Sequence, residues 1–220
     1  GVYDVLKNYE AADIVIPLGV YADSELSSNY KSFADQLAQF CARSFYRNNE
    51  IRGIIGVKPL ENSTRVNIID RVNRLSQLKN DFYLTDENGE YIQNRKGDKV
   101  DIGKYITIVG FDMRYIDDNL VIPSIENGAP AFAGTASMLA KDQAPTNESI
   151  AGGQLAYRYS TAQQSRLSNN RIVSAKINNG QYKITDAMTC ALPGSGWTRY
   201  HTVDVVVDTV TKLRSILDRY

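Results

Sequence analysis

Nearly continuous apolar runs alternate along this chain with stretches whose apolar residues recur every three or four positions. Residues 13–20 (Asp-Ile-Val-Ile-Pro-Leu-Gly-Val), Arg52-Gly53-Ile54-Ile55-Gly56-Val57 and Tyr105-Ile106-Thr107-Ile108-Val109-Gly110 are such runs. Each predicts a strand buried on both faces, as in a parallel sheet. Between the first two, Tyr30, Phe33, Leu37, Phe40, Cys41 and Phe45 predict a helix over about 29–47. Between the second and third, Val66, Ile69, Val72, Leu75 and Leu78 form a stripe that predicts a helix over 63–79. Ser27 or Ser28 is placed to cap the first helix, and Asn62 or Ser63 the second. Strand–helix–strand–helix–strand implies an α/β fold: a three-layer sandwich with a mainly parallel central sheet and flanking helices.

The pattern changes elsewhere. Residues 80–104 are polar, with turn signals at Asn88-Gly89 and Lys96-Gly97. Asn88-Gly89 between Tyr83-Leu84 and Tyr91-Ile92 predicts a small hairpin in a surface insertion. Met113–Ile116 and Leu120–Ile122 flank Asp117-Asp118-Asn119 and predict a second hairpin. Small apolar residues from Gly128 onward predict a close-packed helix, and Thr161–Leu167 a brief one. Arg171–Ile177 and Gln181–Ile184, around Asn178-Asn179-Gly180, carry the strongest hairpin signal and add an antiparallel element to the sandwich. Arg199–Tyr220 predicts a long helix with Val203, Val206, Val207, Val210, Leu213 and Leu217 on one face. No internal repeat is read from the sequence.

A length of 220 residues suits one domain over 1–220 with the insertion at about 80–104. Lys+Arg and Asp+Glu both number 25. That balance gives no global field to hold nucleic acid or an anionic membrane, and it leaves close self-association unopposed by like charge. No run approaches the length of a membrane-spanning helix. The chain starts without Met, shows no basic leader, and its last helix runs to Tyr220 without a stop signal. It therefore reads as the folded core of a longer polypeptide. Two cysteines far apart, Cys41 and Cys190, do not make a disulfide framework and favour a reducing compartment.

Candidate chemistry is sparse. A Ser-His-Asp or Cys-His site would have to use His201, the only histidine, and Cys190 lies eleven residues before it with no signature around either. Zinc would need several Cys and His ligands at short spacing, which the sequence does not offer. The stretch "YADSELSS" follows the first strand's carboxyl end, where open parallel sheets place ligands. Asp23, Glu25 and Ser27 approximate a metal-adhesion loop whose middle hydroxyl is replaced, and helix capping is the competing role of this stretch. No Gly-x-Gly-x-x-Gly or phosphate-loop pattern occurs. No catalytic residue, metal ligand or cofactor site is expected. A metal-dependent adhesion domain or a soluble α/β enzyme stays open as the alternative.

The stretch "AGTASMLAKDQAPTNESIAG" (133–152) resembles the segment of contractile tail sheath proteins in which an Ala-Gly helix precedes a Pro-Thr-Asn turn and a Gly. "RLSNNRIVSAKINNGQYKITDAMT" (166–189) and "WTRYHTVDVVVDTVTKLRSIL" (197–217) are similar to the family's hairpin region and Trp/Arg-led long helix. The resemblance marks Ala133, Gly134, Pro145, Thr146, Asn147, Gly152, Trp197 and Arg199 as structural positions. It implies a small-residue helix packed tightly on the sheet and a subunit that polymerises into a helical sleeve, then contracts to drive a tube through the host envelope. Implied partners are copies of itself, the tail tube protein, and baseplate and neck proteins. The implied location is a phage tail, assembled in the host bacterial cytoplasm. Family subunits are joined by terminal arms that add strands to neighbours, and the hairpin at Asn178, Asn179 and Gly180 is the candidate acceptor.

Overall fold

The computed structural model describes residues 13–24, 32–115 and 124–217. The apolar runs become a parallel sheet of β1 (Ile14–Val15), β2 (Arg52–Gly56), β3 (Ile106–Val109) and β7 (Ile172–Val173), in the order β1-β2-β3-β7. Ile14 pairs with Arg52, Gly53 with Ile106, and Ile108 with Ile172. Every residue of β2 and β3 is buried, as a sheet covered on both faces requires. The first strand is much shorter than the run over 13–20. Pro17 has no N–H to give a ladder, and Gly19 takes a φ of 74°.

Side-chain parity along β2 defines the layers. A Cβ placed on Gly53 would meet Leu37 of α1 (Phe33–Tyr46), so α1 covers that face. Gly56 and Arg52 point the other way, toward Asn127 and Asp204. The second face thus carries α3 (Ala129–Ser137) and the start of α5 (Tyr200–Leu217). Phe132 of α3 and Tyr200 of α5 meet edge to face, 5.2 Å between centroids. The α/β sandwich read from the hydrophobic pattern is the fold.

Helix starts fall later than expected. Ser32 caps α1 by accepting from Asp35 N at 3.1 Å, and Thr64 caps α2 (Arg65–Leu75) by accepting from Asn67 N at 3.3 Å. Ser27 and Ser28 lie outside the described residues. The buried stripe of α2 is also displaced: Val66 and Ile69 are exposed, while Arg71, Val72 and Leu75 are buried. A second antiparallel sheet, β5-β4-β6, is built from β4 (Asp112–Tyr115), β5 (Ser124–Asn127) and β6 (Gln154–Leu155). The partner of β4 is therefore 124–127, where 120–122 was expected. Residues 116–123 lie outside the described set.

Residues 171–177 are not one strand. Ile172 and Val173 pair in parallel with β3, whereas β8 (Ala175–Asn178) pairs antiparallel with β9 (Gln181–Ile184). Ser174 marks the change of sheet. Asn179 and Gly180 both take positive φ, 50° and 76°, as a tight two-residue turn needs. The preceding helix, α4 (Thr161–Asn169), opens on a capping box between Ser160 and Gln163.

Segment 80–104 is a triangle, and the hairpin expected around Asn88-Gly89 is one of its corners. Thr85 bridges Tyr91, Gln93 bridges Lys99, and Asp101 bridges back to Tyr83. Leu84 N donates to Val100 O, Val100 N to Ile92 O, and Ile92 N to Leu84 O, at 3.0, 3.0 and 2.9 Å. The corner bonds repeat too: Asp86 N to Glu90 O, Asn94 N to Asp98 O, and Ile102 N to Phe82 O. Sequence repeats with it, Thr-Asp-Glu-Asn-Gly-Glu-Tyr-Ile (85–92) being followed by Gln-Asn-Arg-Lys-Gly-Asp-Lys-Val (93–100). This is the internal repeat that the sequence reading did not find.

Candidate functional site

Open parallel sheets bind ligands beyond the carboxyl ends of their strands. Here that region is filled by the chain's own polar groups. Asp112, just past β3, pairs with Arg71 through both carboxylate oxygens, one contact being 2.8 Å, and neither side chain is exposed. The same carboxylate accepts from Leu60 N at 2.9 Å and from the Tyr157 hydroxyl at 3.0 Å. The Tyr159 hydroxyl continues the network to Gly110 O at 2.7 Å. Burial pushes both phenols above the usual tyrosine range, so they donate as neutral hydroxyls. Burial opposes the charge on Arg71, but Tyr159, Tyr157 and Asp112 more than offset it and keep the guanidinium protonated. The sequence reading missed this network. Its signal was a charged residue, Arg71, between Ile68 and Leu75 on the core-facing stripe of a helix.

Asp23 is engaged in the same neighbourhood. It accepts from Lys58 N at 2.7 Å and pairs with Arg74 at 2.9 Å, with its side chain only 1% exposed. Glu25 and Ser27 lie outside the described residues. Among the described residues, no group of three or more His, Cys, Asp or Glu side chains could hold a metal ion. His201 is half-buried in the first turn of α5. Cys41 and Cys190 are both buried and free. Burial pushes the Cys190 thiol up to about 12, and it raises Cys41 as well. Thiolates are the reactive form, so iodoacetamide at pH 8 should label neither cysteine in the folded protein and both in denaturant. Rapid native labelling of Cys190 would contradict its placement.

A polar cleft of about 470 Å³ opens at the opposite, amino ends of β1 and β2, lined by Asp13, Arg47, Asn49, Glu50, Val207 and Thr211 among others. Glu50 in its floor is already paired with Arg214 and accepts from Thr211 at 3.4 Å. Those contacts fasten α5 to the connection between α1 and β2. Among the described residues, no helix is long and apolar enough to cross a membrane.

The marked positions on the 133–199 stretch differ in their surroundings. Ala133 is buried, whereas Gly134 is exposed with open space where a Cβ would sit. Pro145 is buried and accepts from Glu148 N at 3.1 Å, closing a turn. Thr146 Oγ1 accepts from Ala187 N at 2.9 Å, and Asn147, at φ 66°, donates to Ile184 O at 2.9 Å. Ile150 N then donates to Tyr182 O, so 147–150 run along the outer edge of β9. Among the described residues, no strand pairs with the outer edge of β8. Asn178, Asn179 and Gly180 form its exposed tip. Gly152 takes φ 86°. Trp197 lies under the Lys104 ammonium, 4.7 Å from its ring centroid. Arg199 is exposed and bridges Met188.

No protein-family model and no curated protein matches this sequence. Among solved structures, the sheath tail protein of Desulfitobacterium hafniense superposes with a TM-score of 0.61 over 99% of this chain, at 9% identity. The chain has the fold of a tail sheath protein. A chain of the anti-feeding prophage baseplate superposes over 86% of this one, with a TM-score of 0.52 and 9% identity. This chain spans 41% and 42% of the length of those two chains.

Proposed function

We propose that this chain is the core of a structural subunit of a contractile tail sheath, polymerising into a helical sleeve around a tail tube. The observation that carries this reading is the sheath fold over nearly the whole chain. The filled strand ends, where Asp112 and Asp23 are committed to Arg71 and Arg74, support a building block over an enzyme. The work is mechanical: nearly rigid subunits move from one set of contacts to another, with no cofactor and no bond cleaved. Heterologous contacts that do not close generate such sleeves. The partners are other copies of the subunit, the tail tube protein, and baseplate and neck proteins, in a phage-type tail assembled in the bacterial cytoplasm. The hairpin tip Asn178-Asn179-Gly180 with the outer edge of β8 is the proposed acceptor for a neighbour's strand. Pro145, Thr146, Asn147 and Gly152 act by holding the 147–150 segment against β9.

Negative-stain electron microscopy of the full-length protein tests the reading, with hollow striated tubes as the expected result. Discrete rings or no assembly would instead favour a baseplate component, the second reading, which rests on the baseplate likeness. Divalent ions should make no difference. Assembly lost in Asp23→Ala and restored by added divalent metal would revive the adhesion-loop alternative.

A further inference from the structure

We infer that the triangular segment 80–104 is a self-association surface, with the acidic corner of one copy docking on the basic corner of the next. The inference rests on the helical-assembly reading above and adds the contact itself. The hydrogen-bond cycle through Leu84, Ile92 and Val100 closes the triangle and uses both backbone groups of each of these three residues. What the two corners present beyond the triangle is exposed charged side chains. The triangle is also fixed in place. Gln39 donates to Tyr83 O at 2.7 Å and accepts from Thr85 N at 3.2 Å, while Arg43 donates to Thr85 O at 3.1 Å. A surface mounted this firmly on α1 loses little freedom when it docks.

Its two corners have one backbone shape and opposite charge. In the first, Asp86 Oδ1 accepts from Asn88 N and Glu90 N, both at 2.9 Å, and Gly89 takes φ 83°. In the second, Asn94 Oδ1 accepts from Lys96 N at 2.8 Å and Asp98 N at 3.0 Å, and Gly97 takes φ 86°. The first corner carries Asp86, Glu87 and Glu90; the second carries Arg95, Lys96 and Lys99 beside Asp98. Glu87, Glu90, Arg95 and Lys96 are exposed and form no ion pair among the described residues. Unpaired lobes of opposite sign on one rigid knob complement a second copy. One exposed ion pair contributes little, but several on preformed lobes act together. Because the acidic and basic lobes occupy different places, the contact is head to tail and repeats from copy to copy.

The test uses two charge-reversed forms of the full-length protein, Glu87→Lys with Glu90→Lys, and Arg95→Glu with Lys96→Glu. All four positions are exposed, so folding should be unaffected. Sedimentation velocity at low ionic strength should show each form self-associating about tenfold more weakly than the wild type, with an equimolar mixture restored toward it. Raising salt to about 0.5 M should dissolve the contact. A mixture that associates no better than either form alone overturns the inference. Tubes forming equally well from both forms overturn it too, while leaving the sheath reading standing. Association restored in the mixture, with no tubes from any preparation, keeps the contact and removes the sheath reading.

Discussion

Asp112→Ala should lower the free energy of unfolding by about 3–5 kcal/mol, because it strands a buried guanidinium without its partner. Urea titration followed by circular dichroism reads this directly. The loss exceeds that of one contact, since the carboxylate also receives Leu60 N and the Tyr157 hydroxyl. Asp112→Asn should recover part of it by keeping an acceptor in place. Arg71→Met combined with Asp112→Leu should cost less than the sum of the two single losses, because both charges go together, but it still leaves Leu60 N and the Tyr157 hydroxyl without their acceptor. A loss below about 1 kcal/mol for Asp112→Ala would place the pair in contact with solvent.

Leu37→Ala should be nearly as damaging, costing about 2–5 kcal/mol through a cavity in the face shared by α1 and β2. Leu37 is fully buried. Gly53→Ala alone crowds the same place, its new Cβ falling 2.6 Å from Leu37 Cδ2, and should cost about 1–3 kcal/mol. The double variant puts a methyl where the leucine was removed. Its loss should be smaller than the sum of the two by about 1–3 kcal/mol. Strict additivity in that cycle would mean that the helix and strand do not meet at these two residues.

What the sequence made legible was what hydrophobic periodicity controls. The runs at 52–57 and 105–110 became β2 and β3 because burial on both faces demands continuous apolar residues, as those runs have. Helix starts were misjudged where several hydroxyl residues competed: Ser32 and Thr64 cap, and a sequence does not rank one serine over another. The division of 171–177 was hidden because a strand that changes sheets keeps one extended pattern. The buried network at the strand ends was hidden for another reason. Arg71 and Asp112 are close only in space, and a lone charge on an apolar stripe ordinarily marks a helix edge. The triangle was missed because its eight-residue period is shorter than the repeats that signal extended arrays, so the Asn88-Gly89 hairpin was read without the second corner that repeats it.

The passage from β7 to β8 has a mechanical consequence. Ile172 and Val173 are bonded into the central sheet, and one residue later the chain enters the hairpin. Thr185 closes the junction, its N–H donating to Ser174 O at 2.9 Å and its hydroxyl accepting from Ser174 Oγ at 3.1 Å. A pull on the hairpin tip therefore enters the sandwich along a strand axis. The bonds between β7 and β3 are then strained together, in shear, and do not open one after another as they would if the strand were peeled sideways. Load arriving at the hairpin is thus delivered to a fully buried strand pair of the central sheet, and the subunit is pulled as a whole before it is pulled apart.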